Sequence, residues 1–109
     1  MSSDLSQIVA QSADAAELHA PVPTLLLELQ TLLGTLTATV AAETNRGRSP
    51  FRPGPDWGAR LGELAYGVYL LADQTNVDVA AAVTATAHAV GSSARPTPPE
   101  GSDWSFEGR

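Results

Sequence analysis

The sequence predicts an all-α fold, and three observations carry that expectation. Leu, Val and Ala dominate a 43% hydrophobic content while aromatic residues supply only 6%, a balance that suits thin, closely packed helices better than a sheet sandwich. Apolar residues recur at three- and four-residue steps in four separate segments. The stretches between them are rich in Pro, Gly and small polar residues, which interrupt helices. A chain of 109 residues holds one core, so the expectation is a helical domain over residues 1–91 and a flexible tail over 92–109.

The first segment, SDLSQIVAQSADAAEL over residues 3–18, sets Leu5, Ile8, Val9, Ala13, Ala16 and Leu18 on one weak apolar face. HAPVP over residues 19–23 breaks it, since two prolines remove backbone donors and push their predecessors out of the helical region. Thr24 is then the expected N-cap of a helix over 25–43. Leu25, Leu29, Leu32, Leu36 and Val40 form its stripe, and Leu26, Leu33 and Thr37 widen it enough to predict burial on two sides. The segment 44–56, TNRGRSPFRPGPD, cannot propagate a helix and reads as a long loop. Trp57, Leu61, Leu64, Val68 and Leu71 form a seam on the next helix, which is expected to end near Gln74. Asn76 or Asp78 caps a last helix whose face is Val79, Ala82, Val83, Ala87 and Val90, with Gly91 as its stop.

Twelve acidic against six basic residues give a net charge of −6 and a pI of about 4.6, which repels nucleic acid and anionic membranes on average. The absence of cysteine excludes a disulfide framework, thiolate zinc sites and cysteine nucleophiles. With no basic, then apolar, opening segment and no apolar stretch reaching the roughly 18 residues of a membrane span, a soluble cytoplasmic protein is expected, with neither nucleic acid nor membrane as partner.

Few constellations carry chemistry. His19 and His88 are far apart and neither belongs to a metal motif. No G-x-S-x-G turn displays a nucleophile, and Gly47, Gly54 and Gly58 follow no strand and lack the lysine of a phosphate loop. All six basic residues are Arg, which suits planar phosphate or carboxylate recognition but equally reflects the composition of an Ala- and Gly-rich chain. Arg46, Arg48 and Arg52 are either a patch for an anion or acidic partner, or a solvated loop. Trp104 and Phe106, in DWSFEG, are either docking anchors on a tether or an inert end.

Two stretches carry a resemblance. LLLELQTLLGTLTA resembles a helix of the MazG-like nucleoside-triphosphate pyrophosphohydrolases, and RLGELAYGVYLLADQTNVDVAAAV resembles the two helices that follow in that family. YLLADQTNVDV is the most specific part, and the likeness covers about residues 4–90. It implies a four-helix bundle whose missing half comes from self-association, as a dimer or tetramer. It also implies hydrolysis of a nucleotide α,β-phosphoanhydride around Mg²⁺, held by E-x-x-E on one helix and E-x-x-D on the next. Carboxylates three residues apart share a helix face, and a hard cation requires such oxygens.

Carried over by position, the first pair falls on Leu32 and Thr35, with Thr31 at the neighbouring acidic position, and the second on Arg60 and Glu63. The family's phosphate-holding lysine and asparagine fall on Thr86 and Val90. Asp78 matches, although an acid at a helix start is more simply a cap. Three of four ligands are thus replaced, and Arg60 and Glu63 are spaced to pair with each other. The reading is a catalytically silent binding, regulatory or assembly protein with no catalytic residue, metal or cofactor. The alternative is a nucleoside-triphosphate pyrophosphohydrolase or nucleotide-binding protein with a relocated or residual Mg-dependent site. A protein partner is expected to meet the tail through Trp104 and Phe106.

Overall fold

The computed structural model describes residues 4–94. These form four helices, α1 (Asp4–Ala16), α2 (Val22–Glu43), α3 (Trp57–Gln74) and α4 (Val79–Ser93), with no strand among the described residues.

α2 begins earlier than expected. Pro21 precedes it, Pro23 lies in its first turn, and Thr24 is therefore inside the helix, making no side-chain cap. A first-turn proline loses nothing, because the donors there have no intrahelical acceptor. The main-chain nitrogens of Thr24 and Leu25 instead donate to Pro21 O at 2.9 and 3.1 Å. Gly91 likewise does not stop α4, which runs on to Ser93; one glycine costs a helix only about 1 kcal/mol and is not an obligate terminator. The Asp78 cap is present, its Oδ1 accepting from Ala81 N at 3.1 Å.

The first three helices end alike. Leu18 N donates to Ala13 O, Arg46 N to Ala41 O, and Val77 N to Ala72 O, each closing a helix over a left-handed residue: Glu17, Asn45 and Asn76. In the α2–α3 loop the left-handed run extends through Asn45, Arg46 and Gly47. Buried Thr44 holds it, its Oγ1 donating to Val40 O at 2.8 Å and accepting from Gly47 N at 3.1 Å.

α2 and α3 form an antiparallel hairpin with a close approach at Leu29 and Gly67: a Cβ built on Gly67 would lie 2.7 Å from Leu29 Cδ1. α1 packs on α3, and Val9 and Ala13 meet Leu25 of α2 and Leu70 of α3 in a small core flanked by Tyr66, Tyr69 and Leu71. Ser12 Oγ lies 2.5 Å from Tyr66 Oη. His19 adds a second tie, its Nε2 being 2.7 Å from Asp73 Oδ2 and its Nδ1 3.2 Å from Asp14 Oδ1.

α1 covers one face of the hairpin. At about 100° per residue, Leu26 and Leu33 on α2 and Leu61 and Val68 on α3 lie on the opposite face, and all four are exposed. Of the α2 stripe, Leu25 is buried, Leu29, Leu36 and Val40 are half-buried and Leu32 is exposed, so the stripe is covered in part and on one side within the chain, rather than on two. α4 departs from the expected four-helix bundle more sharply, since every residue from Ala81 to Ala94 is exposed and none of the helix is buried.

One sequence expectation, that no apolar stretch reaches the length of a membrane span, is revised by length and composition alone. α2, at 22 residues, is long and apolar enough to cross a membrane by length and composition. Its threonines and Gly34 interrupt the leucines without making the segment polar on average. The core helix of a soluble protein passes the same test.

Candidate functional site

The loop end of the α2–α3 hairpin gathers most of the residues singled out from the sequence. Phe51 turns back onto Trp57, ring centroids 4.8 Å apart at 62°, an edge-to-face pair that pins the proline-rich loop to the start of α3. Beneath it lies a cleft of about 140 Å³ between Leu36, Val40 and Glu43 of α2 and Asp56, Trp57 and Arg60 across the loop. With Leu29 opposite Gly67 and Leu36 and Val40 on the same cleft as Trp57 and Arg60, Leu32 and Thr35 stand level with the Arg60–Glu63 turn of α3. The four positions that the resemblance picks out thus share one level of the hairpin.

Their chemistry is not that of a cation site. Leu32 and Thr35 offer no carboxylate, and Arg60 Nη1 lies 3.8 Å from Glu63 Oε1, both side chains about half exposed. Such a surface pair contributes little to stability, yet it places a guanidinium where a divalent ion would need negative charge. Among the described residues no group of three His, Cys, Asp or Glu is placed to hold a metal ion. Thr86 and Val90 lie on exposed α4, and Thr86 Oγ1 donates to Ala82 O at 2.9 Å, within its own helix. His88 also lies on that helix, 69 positions from His19 in sequence.

Arg46, Arg48 and Arg52 are exposed around the left-handed turn. From Asn45 to Ser49 the main-chain amides are committed within the turn. Arg46 N is committed to Ala41 O at 2.7 Å, Gly47 N to Thr44 Oγ1, Arg48 N to Asn45 O at 3.3 Å and Ser49 N to Thr44 O at 2.8 Å. Within 45–49 this leaves the guanidinium groups of Arg46 and Arg48 to an anion, in contrast to a phosphate loop, which presents its backbone.

A second cleft of about 320 Å³ lies at the other end, where Ser6, Gln7 and Ala10 of α1 face Tyr69, Asp73 and the 76–78 corner. It reaches the lower bound of small-molecule sites, roughly 300 Å³, which the first cleft does not. Asp73 and Asp78 line it, so its field repels a polyphosphate. Sequence reasoning missed this corner because nothing in HAPVP or LADQ announces that His19 and Asp73 meet across 54 residues. Trp104 and Phe106 lie outside the described residues.

No family model, curated protein or solved structure matches the chain.

Proposed function

We propose that this chain is a catalytically silent, MazG-like helical protein that self-associates and works as a binding, regulatory or assembly module in the cytoplasm, with Trp104 and Phe106 as its contact to a protein partner. The observation that carries the reading is the level of the hairpin where Leu32, Thr35 and Arg60 stand in place of three carboxylates while Glu63 is engaged by Arg60. The packing positions on both sides of that level keep the resemblance, whereas the ligand positions do not.

Self-association rests on the open hairpin face. Leu26, Leu33, Leu61 and Val68 are between 38% and 51% exposed. Covering each contributes about 1 kcal/mol, so covering all four in both copies of a dimer yields about 8 kcal/mol gross. Association itself costs on the order of 4–15 kcal/mol. The covering element must therefore bring apolar surface of its own.

The test is direct. Purified protein with Mg²⁺ or Mn²⁺ should release no pyrophosphate from nucleoside triphosphates above background, and sedimentation at micromolar concentration should give a mass above the 11.3 kDa chain. Turnover that vanishes in Glu63→Ala would overturn the silent reading, and a sole monomer would overturn self-association.

A further inference from the structure

His19, in the link between α1 and α2, has an acid at each ring nitrogen. Its Nδ1 lies 3.2 Å from Asp14 Oδ1 on α1, and its Nε2 lies 2.7 Å from Asp73 Oδ2 on α3. A neutral imidazole carries one N–H, so in either tautomer the second nitrogen presents a lone pair. An ionised carboxylate has only lone pairs to offer in return. Donation to both aspartates at once is therefore a property of the imidazolium alone. The ring is also the most enclosed of the three side chains, 29% exposed against 75% for Asp14 and 39% for Asp73.

Among the described residues no other base is built into this corner. There is no lysine. Arg60, the arginine closest to Asp73 along α3, is thirteen residues away, about 20 Å of helix and about two Debye lengths at physiological salt. His88 is ten residues along α4 from the Asp78 cap, about 15 Å. Acids are more plentiful. Glu17 stands two residues before His19 in the chain, and Asp78 lines the same cleft as Asp73. α2 brings neither acid nor base in its first turn, and its first charge is Glu28. Tyr66 and Tyr69 flank the α1 core from α3, and phenols as a class titrate near pH 10, well above histidine.

We propose that His19, as an imidazolium joining Asp14 to Asp73, is a proton-operated latch that holds α1 against the hairpin. The sign follows from the donor count. The docked helix uses both ring protons and the released helix uses neither, so release favours loss of a proton. Docking is accordingly strongest at weakly acid pH and weakens as pH rises through the histidine range, between about 5 and 8. Every contact in the latch lies within one chain, so the inference stands apart from the self-association and the silent site proposed above.

Amide exchange from Ile8 to Ala13 in the full-length chain reads the latch. The quantity is the rate in a variant over the rate in the wild type at each pH, in which the pH dependence of the exchange chemistry cancels. His19→Gln keeps a donor for one carboxylate but has no second donor on the far side of a ring. Its α1 amides should exchange about two- to five-fold faster than wild type at about pH 5.5, the scale of an exposed ion pair, and the ratio should fall towards one at about pH 8.5. His88→Gln, on exposed α4, should give a ratio of one at both. A His19→Gln ratio that is constant or grows with pH overturns the latch, and so does a His88→Gln ratio that falls with pH in the same way. Should His19→Gln fail to fold, nuclear magnetic resonance of the wild type decides. The carboxylate carbon signals of Asp14 and Asp73 should both move as the His19 ring titrates, and a ring that titrates without moving both overturns the proposal.

Discussion

Replacing Gly67 by Ala measures how closely α2 and α3 approach in solution, because the helix holds its own controls. Gly34 and Gly62 lie inside α2 and α3 with nothing within 4 Å of a built Cβ, so Ala there meets open space. Each of those substitutions should stabilise the protein by about 1 kcal/mol through helix propensity alone, raising Tm by about 4–8 °C for a domain of this size. At Gly67 the same gain is opposed. The new methyl would start 2.7 Å from Leu29 Cδ1, about 1 Å inside the optimal carbon–carbon separation. Leu29 must move, but the atom in the way is the far end of a flexible, half-buried side chain, and a shift of this kind costs about 0.5–1.5 kcal/mol. The net effect of Gly67→Ala should therefore lie between a gain and a loss of about 0.5 kcal/mol, below Gly34→Ala and Gly62→Ala. Thermal melts followed by far-UV circular dichroism, at one fixed protein concentration, read all three. Leu29→Ala should relieve the conflict, so the double variant should show favourable coupling in a mutant cycle. If Gly67→Ala stabilises as much as its controls, Leu29 gives way at no cost and the close approach places no constraint on the hairpin in solution.

Two further outcomes follow from the core and from the site proposed to be silent. Leu25→Ala removes the residue through which α2 reaches the α1 core and should cost about 2–5 kcal/mol, enough in so small a core to abolish a cooperative melt. Leu32→Glu, Thr35→Glu and Arg60→Glu together with native Glu63 place four carboxylates at one level of the hairpin, and calorimetry should then detect more Mg²⁺ or Mn²⁺ binding than the unmodified protein shows; no gain would count against the proposed MazG-like alignment.

The parts of the fold that sequence made legible are those set by local chemistry. The proline-rich 44–56 segment had to be a loop, Asp78 had to be worth a cap, and the steps from Leu25 to Val40 located the inner face of α2. Boundaries that depend on what the backbone tolerates were less legible: Pro23 and Gly91 look like breaks, yet a first turn accepts one and a last turn the other. Least legible was which apolar face finds a partner within the chain. Val83 and Leu25 read alike in sequence, but one is exposed and the other buried, because α4 packs on no other helix while α2 meets α1 and α3. The level shared by Leu32, Thr35, Arg60 and Glu63 was legible only as spacing, and the His19–Asp73 tie not at all, since pairing across so many residues leaves no periodic trace.

The slender attachment of α1 has a consequence for how the molecule comes apart. Two small side chains, Val9 and Ala13, one hydroxyl pair to Tyr66 and the imidazole of His19 hold this helix against the hairpin, whereas α2 and α3 meet along several turns. Of the three helices that pack together, α1 is accordingly the one that opens first, as a local event below the free energy of global unfolding. Its release uncovers Leu25 and Leu70 on the one face of the hairpin that had been sealed. The opened chain would then be a two-helix ribbon, sticky on both sides. The 17–21 stretch beside the hinge would lie within reach of a protease, and the first irreversible steps away from the native state, cleavage and aggregation, would both begin at the N-terminal helix.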